Sequence, residues 1–285
     1  MNEPLLEVTD LQKFFPVSGP GIFSRERGTN KAVNGLSFSL KEGETLGLVG
    51  ESGCGKSTAG RTILKLYEPT GGSIKFQGQE ISGYSSAKMK PLRTKMQMIF
   101  QDPYASLNPR MRIRDVLAEA LDTHGLARGE ARQPRIDELL QQVGLNPDWR
   151  ERYPHAFSGG QRQRIGIARA IALNPRIIVA DEATSALDVS LRSQMLDLLL
   201  KLQDDLGLSF IFISHDIAVI RYFCDRVAVM YRGKVVEAGD TDQVCDRPEH
   251  PYTQALLSAI PRPDPRQRSI HKRFRFDESL LQKAA

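Results

Sequence analysis

The sequence is poor in the residues that most often announce a special site: of its 285 residues three are cysteine, one is tryptophan and five are histidine. Cys54, Cys224 and Cys245 lie far apart with no paired spacing, so neither a disulfide framework nor a cysteine-based metal cluster is indicated, and reduced thiols are expected. No apolar run approaches the ~18 residues that a membrane-spanning helix needs. Met1 to Asp10 lacks the basic-then-apolar order of a signal segment. The chain is therefore expected to stay in the cytosol. Internal repeats, long low-complexity segments, zinc-type spacings and a dense basic stripe interleaved with aromatics are also missing, which weakens any nucleic-acid reading. The net charge of +5 is only mildly basic. Part of it is local, because Arg262, Arg266, Arg268, Lys272, Arg273 and Arg275 crowd a Pro-containing tail. That tail reads either as a solvated disordered end or as a segment drawn to anionic lipid or to a partner subunit.

What is present is ordinary globular material, 40% hydrophobic and 26% charged, enough to bury a substantial core. Leu46 to Val49 reads as a buried strand feeding a tight loop, and Ser57 to Leu66 as the helix beyond it. Ser73–Phe76, Met96–Phe100, Ile177–Ala180, Phe210–Ile213 and Val227–Tyr231 are further strands, several flanked by helical patterns. Such alternation favours a parallel sheet covered by helices, an α/β fold. Between about 102 and 157 the strand signals vanish. Ile113, Val116, Leu117, Ala120 and Leu121 recur there at helical spacing, as do Ile136, Leu139, Leu140 and Val143, which predicts an inserted helical subdomain. Leu191, Met195, Leu198, Leu199 and Leu202 form another helical stripe, expected to be core and to end at Gly207.

The strongest chemical signal is Gly50-Glu51-Ser52-Gly53-Cys54-Gly55-Lys56-Ser57-Thr58, which satisfies the phosphate-loop pattern between a strand and a helix. Glycines let successive backbone N–H groups turn inward, and the helix N-terminus beyond adds positive partial charge toward an anion. Lys56 is expected to reach the β- and γ-phosphates of a nucleotide, with the Ser57 hydroxyl on magnesium. A chance match to the fixed positions occurs about once in a hundred chains of this size. Ile177 to Glu182 is an apolar strand ending in two carboxylates, suited to a magnesium ligand, Asp181, followed by a base, Glu182, that polarises the attacking water. His215 and Gln101 each follow a strand and are candidates for orienting that water, Gln101 also for touching the metal. Ser158-Gly159-Gly160-Gln161 opens a further helix and is a second N-terminus equipped for phosphate. Two such termini in separate subdomains are hard to wrap around one phosphate, so a composite site between two chains is expected.

The order of phosphate loop, Gln101, Ser158–Gln161, Asp181-Glu182, Ser185-Ala186-Leu187-Asp188 and His215 resembles an ABC ATPase over residues ~5 to ~240. That resemblance implies a P-loop NTPase core with a mostly parallel sheet, an N-terminal antiparallel β subdomain and the inserted helical subdomain. It also implies ATP and Mg2+ as cofactors and a head-to-tail dimer in which Ser158, Gly159, Gly160 and Gln161 serve the partner's ATP while Asp188 bridges the interface. Phe15 occupies the place where the family stacks an aromatic on adenine; Phe14 is the adjacent register, and a plain core aromatic is the other reading. Two further segments, Phe100 to Arg110 and His250-Pro251-Tyr252-Thr253-Gln254-Ala255-Leu256-Leu257, resemble the oligopeptide/dipeptide importer subfamily, of the type without an iron–sulfur tail, and mark 241–285 as a C-terminal extension after a 1–240 nucleotide-binding domain.

The resemblance implies two integral-membrane permease subunits, a second ABC ATPase subunit that is either a copy or, as the lack of an iron–sulfur tail points to, a different homologous chain, an extracytoplasmic solute-binding protein, and a peripheral place on the cytoplasmic face of the bacterial inner membrane. Residues near Tyr104 to Arg114 are expected to receive a permease helix. The competing readings are a soluble ABC ATPase acting on nucleic acid or ribosomes, and a small-molecule kinase. The kinase leaves Ser158–Gln161 and Asp188 without a role.

Overall fold

A computed structural model describes residues 3–18, 26–102, 104–127, 129–185 and 187–259. The basic tail beyond 259 and part of the Ser18–Asn30 stretch lie outside the described residues. In chain order the elements begin with strands β1 (Leu6–Ser18), β2 (Glu26–Leu40) and β3 (Thr45–Val49), helix α1 (Lys56–Ile63), and strands β4 (Gly71–Phe76) and β5 (Gln79–Glu80). The middle of the chain holds α2 (Ser86–Met89), β6 (Met96–Ile99), α3 (Ile113–His124), α4 (Arg132–Gln142), α5 (Gly159–Ile171), β7 (Ile177–Asp181), α6 (Val189–Leu206) and β8 (Ser209–Ile213). It closes with α7 (Ile217–Phe223), β9 (Arg226–Tyr231), β10 (Lys234–Asp240), α8 (Thr241–Asp246) and α9 (Pro251–Ser258).

These elements form two compact units. One is built mainly from Leu40–Glu44 and Gly83–Ile213. Its strands run β8-β7-β6, all parallel, with Ile177 opposite both Ser209 and Met96. Every residue of β7 and β8 is buried. Continuous runs such as Ile177-Ile178-Val179-Ala180 and Phe210-Ile211-Phe212-Ile213 suit strands covered on both faces, where alternation would leave polar groups in the core. The same unit carries α3 to α6, and among its described residues between 102 and 157 there is no strand, as the helical spacing predicts. Ile113, Val116, Leu117 and Leu121 on α3 and Ile136, Leu139 and Leu140 on α4 are buried, so the 3.6-residue stripes are the packed faces.

Helix α6 ends at Gly207, whose φ of 63° is the left-handed cap that glycine adopts without a Cβ clash. Its stripe departs from expectation at one end. Met195, Leu198, Leu199 and Leu202 are buried, whereas Leu191 is 38% exposed beside Val189 at 79%. The first turn of α6 reaches past the core that its later turns cover, and there a Cβ on Gly160 would lie 3.6 Å from Leu191 Cδ1.

The other unit is built mainly from Leu6–Ser39, Thr45–Ser82 and the described residues after Ser214. It contains a β2-β1-β4-β5 sheet, antiparallel where β4 meets β1 and β5, and a strand group β10-β9-β3 in which β3 runs parallel to β9 and β10 antiparallel to it. Glu26–Asn30 belong to β2. Helix α1 is shorter than its apolar pattern suggests. It starts at Lys56 and ends at Ile63, because Lys65 takes a left-handed φ of 56° and the Leu66 N–H turns back to the carbonyl of Arg61. Lys65 donates to the carbonyl of Ser82 and pairs with Glu68, which holds that turn.

Candidate functional site

In the unit that contains β3, the chain leaves the strand at Val49 and enters α1 through residues 50–55. Gly50 (φ 151°) and Gly55 (φ 107°) are the two positions where no other residue fits. A Cβ on Gly50 would sit 2.3 Å from the carbonyl oxygen of Met230 and 2.8 Å from Cys54 Sγ, and one on Gly55 would sit 2.0 Å from the carbonyl oxygen of Ala32. The loop is thus pressed against backbone on its outer side. Gly233, in the β9–β10 turn, donates its N–H to the carbonyl of Cys54 at 2.8 Å and accepts one from Asn34 at 2.7 Å. Lys56 is 5% exposed, and its Nζ donates to the carbonyls of Gly50 (2.7 Å) and Glu51 (2.8 Å), arching over the loop it belongs to. A buried ammonium on neutral carbonyls is a strong ligand for an anion that brings full charge. Cys54 is buried under that lysine, its Sγ 3.7 Å from Nζ; burial pushes the thiol pKa up, outweighing the pull of the ammonium.

Also in this unit, Phe15 lies half-buried in β1 with its ring edge-to-face on Tyr67 at 5.6 Å and Lys13 Nζ 4.8 Å above it; the Phe14 ring lies under Lys31 at 5.4 Å. His215, just after Ser214, is exposed, and Asp216 next to it caps α7 by accepting the N–H of Ala218. The phosphate loop has one contact that no sequence pattern announces. Tyr252 of α9 accepts a hydrogen bond from the Glu51 N–H at 3.1 Å, although the two are 201 positions apart.

The unit with β7 carries the remaining candidates. Asp181, at the end of β7, is fully buried. Glu182 follows in a left-handed conformation (φ 47°), fixed by its N–H donating to the Ile213 carbonyl at 3.0 Å and by its own carbonyl accepting the Ser185 N–H and hydroxyl. A non-glycine residue held there is strained backbone of the kind that collects at functional positions. The carboxylate of Glu182 accepts a hydrogen bond from Gln101 Nε2 at 2.7 Å, so two residues that the sequence places at separate strand ends meet. Ser158 caps α5 as a full capping box: its Oγ accepts the Gln161 N–H at 3.3 Å, and Gln161 Oε1 accepts the Ser158 N–H at 3.0 Å. The Ser-x-x-Gln spacing carries that signal in plain view. Asp188 is exposed at the N-cap position of α6.

Residues 33–185 match the family model described as ABC transporter. The chain belongs to the ABC transporter family. Residues 236–280 match a second model, the C-terminal region of oligopeptide/dipeptide transporters. Among curated ABC relatives, the oligopeptide transport ATP-binding protein AppF of Bacillus subtilis is 54% identical over 91% of this chain and 79% of its own length. OppF of the same organism is 52% identical over 99% and 90%. Of solved structures, the dimeric post-hydrolysis state of the ATP-binding cassette MJ0796 bound to ADP and Pi matches with a TM-score of 0.72 at 29% identity, covering 83% of this chain and 98% of that one. CbiO1 from Clostridium perfringens, part of the complex cbiONQ, matches with 0.73 at 27% identity, covering 86% and 92%. The fold is that of an ABC ATPase, with an antiparallel N-terminal sheet, parallel-rich strands and inserted helices, and the subfamily is that of the oligopeptide/dipeptide importers, as the motif order implies. The reading as a soluble ABC ATPase on nucleic acid or ribosomes finds no support, since the C-terminal segment is that of a transporter. Among the described residues no helix is long and apolar enough to cross a membrane.

Proposed function

We propose that this chain is the ATP-binding and ATP-hydrolysing subunit that energises an ABC importer for peptides or related small solutes. The observation that carries the reading is Lys56 poised on the Gly50 and Glu51 carbonyls in a glycine loop, in a chain that matches transporter models over both 33–185 and 236–280. The backbone of residues 50–58 cradles the phosphates, and Lys56 reaches the β- and γ-phosphate oxygens. Phe15 is the adenine-stacking residue in this reading.

The donor set suits magnesium. Ser57, Gln101 and Asp181 offer hydroxyl, amide and carboxylate oxygens, the hard ligands that this ion takes, and Mg2+ needs only one or two protein groups beside a substrate's phosphates. When bound, the ion neutralises charge that develops on the phosphates. Glu182 takes the proton of the attacking water, and Gln101, already hydrogen-bonded to that carboxylate, holds its orientation. His215 orients the water toward the γ-phosphate. Ser158, Gly159, Gly160 and Gln161 present a capped helix N-terminus to the ATP of a second ABC ATPase subunit, a different homologous chain, and Asp188 lies in that interface.

The remaining partners in this reading are two integral-membrane permease subunits and an extracytoplasmic solute-binding protein, with the chain peripheral on the cytoplasmic face of the bacterial inner membrane. The segment from Tyr104 to Arg114 is the permease contact. Tyr104 is 62% exposed, and Arg112 and Arg114 are both braced on Glu151 at 2.7 Å. The nucleotide-binding domain spans 1–240, with its helical insertion at about 102–157, and the extension runs from 241 to 285. Reconstitution with the permeases and the second ATPase in vesicles tests the whole: peptide uptake is expected only with hydrolysable ATP inside the compartment that holds this chain. Uptake that persists without this chain overturns it.

A further inference from the structure

The C-terminal extension begins with an anchored turn. Glu237 of β10 accepts the N–H groups of Glu249 (2.8 Å) and His250 (3.0 Å) on its two carboxylate oxygens. His250 Nδ1 then caps α9 by accepting the Tyr252 N–H at 3.1 Å, and Pro251 takes the first helical position, where a missing N–H costs nothing. Gln254 Nε2 ties the turn shut on the carbonyl of Pro248 at 3.0 Å. The side chain so aimed is Tyr252, which is 2% exposed and packed against the Tyr231 ring at 4.5 Å. Thr253, Leu256 and Leu257 on the same helix line an apolar cavity with Val49, the last residue before the phosphate loop.

We propose that α9 is a strut of the phosphate loop and that Tyr252 is a positioning residue for the nucleotide. The inference rests on the reading of residues 50–58 as the ATP site. The Glu51 peptide is gripped from two sides: its carbonyl receives Lys56 Nζ, and its N–H donates to Tyr252 Oη. Lys56 has three N–H donors, two of them on the Gly50 and Glu51 carbonyls, and each one that turns to a phosphate oxygen loosens its hold on the loop. The Tyr252 bond does not involve the lysine, so it holds the Glu51 peptide on its path when a lysine donor turns. Burial raises the phenol pKa to about 12, so the hydroxyl stays protonated and the grip is independent of pH through the physiological range. Read this way, the His250-Pro251-Tyr252 segment is a device that delivers one hydroxyl to the first peptide of the loop.

Tyr252→Phe keeps the ring and its packing and removes only the hydroxyl that accepts the Glu51 N–H. In the assembled transporter it is expected to raise the KM for ATP about 3- to 10-fold, the factor that one neutral hydrogen bond carries, with kcat close to wild type. Amide exchange of residues 50–54 in the nucleotide-free protein should quicken alongside. Glu237→Ala, which leaves the hydroxyl in place but frees the turn that aims it, should shift KM in the same direction. A Tyr252→Phe protein with lowered thermal stability but unchanged KM and unchanged exchange has lost packing alone, and that result overturns the strut. Lys56→Ala separates the two layers of the argument. If it binds ATP as the wild type does, the nucleotide reading fails, and the exchange of residues 50–54 in Tyr252→Phe alone decides whether the loop is braced.

Discussion

Gln101 Nε2 and Glu182 Oε2 lie 2.7 Å apart, a hydrogen bond between a residue two positions past β6 and the one that follows β7. The amide holds the carboxylate, and the left-handed φ of 47° at Glu182 holds the backbone beneath it in a strained conformation. If Glu182 is the base, its loss should affect the chemical step and spare binding. Glu182→Gln is expected to retain ATP affinity while turnover falls about 10²- to 10⁴-fold, the usual contribution of a positioned base. Equilibrium nucleotide binding alongside single-turnover hydrolysis measures both, and wild-type turnover would remove Glu182 from the mechanism.

How much of this was readable beforehand follows from which interactions are local. β3, β7 and β8 are legible because strands buried on both faces must be continuously apolar, and the α3 and α4 stripes because one face of each helix must be. The phosphate loop is legible because glycine is required where backbone presses within 2.3 Å of a Cβ position. The α1 terminus was misjudged by its apolar pattern, since a left-handed lysine stops the helix where composition alone would continue it. Leu191 was assigned to the core because periodicity records which residues share a face, not how far the covering core extends. The contact between Glu51 and Tyr252 had no sequence signal at all; His250 to Thr253 could be recognised as a marker of the subfamily, but chain separation hides what it touches.

Ser158 has a structural duty besides any role toward a partner's phosphate. Its Oγ and the Gln161 side chain satisfy one another's backbone N–H groups at the start of α5. Ser158→Ala should therefore destabilise the isolated subunit by about 1 kcal/mol, typical of a lost N-cap, and Gln161→Ala should weaken the same box from its other side. Chemical denaturation of the single variants and of the double variant measures this. A double variant no worse than Ser158→Ala alone is the expected sign that the two residues act as one cap; additive losses would show them to be independent.

Cys54 sits inside the phosphate loop, yet its thiol is poorly placed for chemistry. It is buried, and burial raises its pKa from an ordinary value of 9.0 despite the neighbouring Lys56. The nucleophile is the thiolate, so alkylation near pH 7.5 should be slow and should accelerate as pH rises through and beyond 9. Cys245 also has a raised pKa but is only half-buried, and it should be labelled first. Peptide mass mapping of iodoacetamide adducts over time gives the order. Once formed, an adduct on Cys54 should abolish ATP binding, and ATP should protect the thiol. Rapid labelling of Cys54 at neutral pH would mean that the loop opens readily in solution.

Helix α5, which starts at the Ser158 cap, also holds the segment after Gln101. The Arg162 guanidinium lies 3.9 Å from the centre of the exposed Tyr104 ring while its Nε donates to the Pro154 carbonyl at 2.7 Å, and Arg169 donates to the carbonyl of Ser106. Arg169 is half-buried; desolvation pushes its pKa down, and the nearby Glu119 offsets part of that. A rotation of α5 would therefore move residues 104–106 with it, which gives a physical route from the nucleotide side to the proposed permease contact. Arg169→Met retains the apolar stem and removes the donors. It should leave nucleotide binding intact, cost about 1–3 kcal/mol of stability through the lost hydrogen bond to Ser106 and the lost attraction to Glu119, and lower the amount of substrate carried per ATP hydrolysed in reconstituted vesicles. Because hydrolysis and uptake are measured on the same vesicles, a variant that loses both in proportion has only been destabilised, whereas one that hydrolyses without carrying has lost the link that α5 provides.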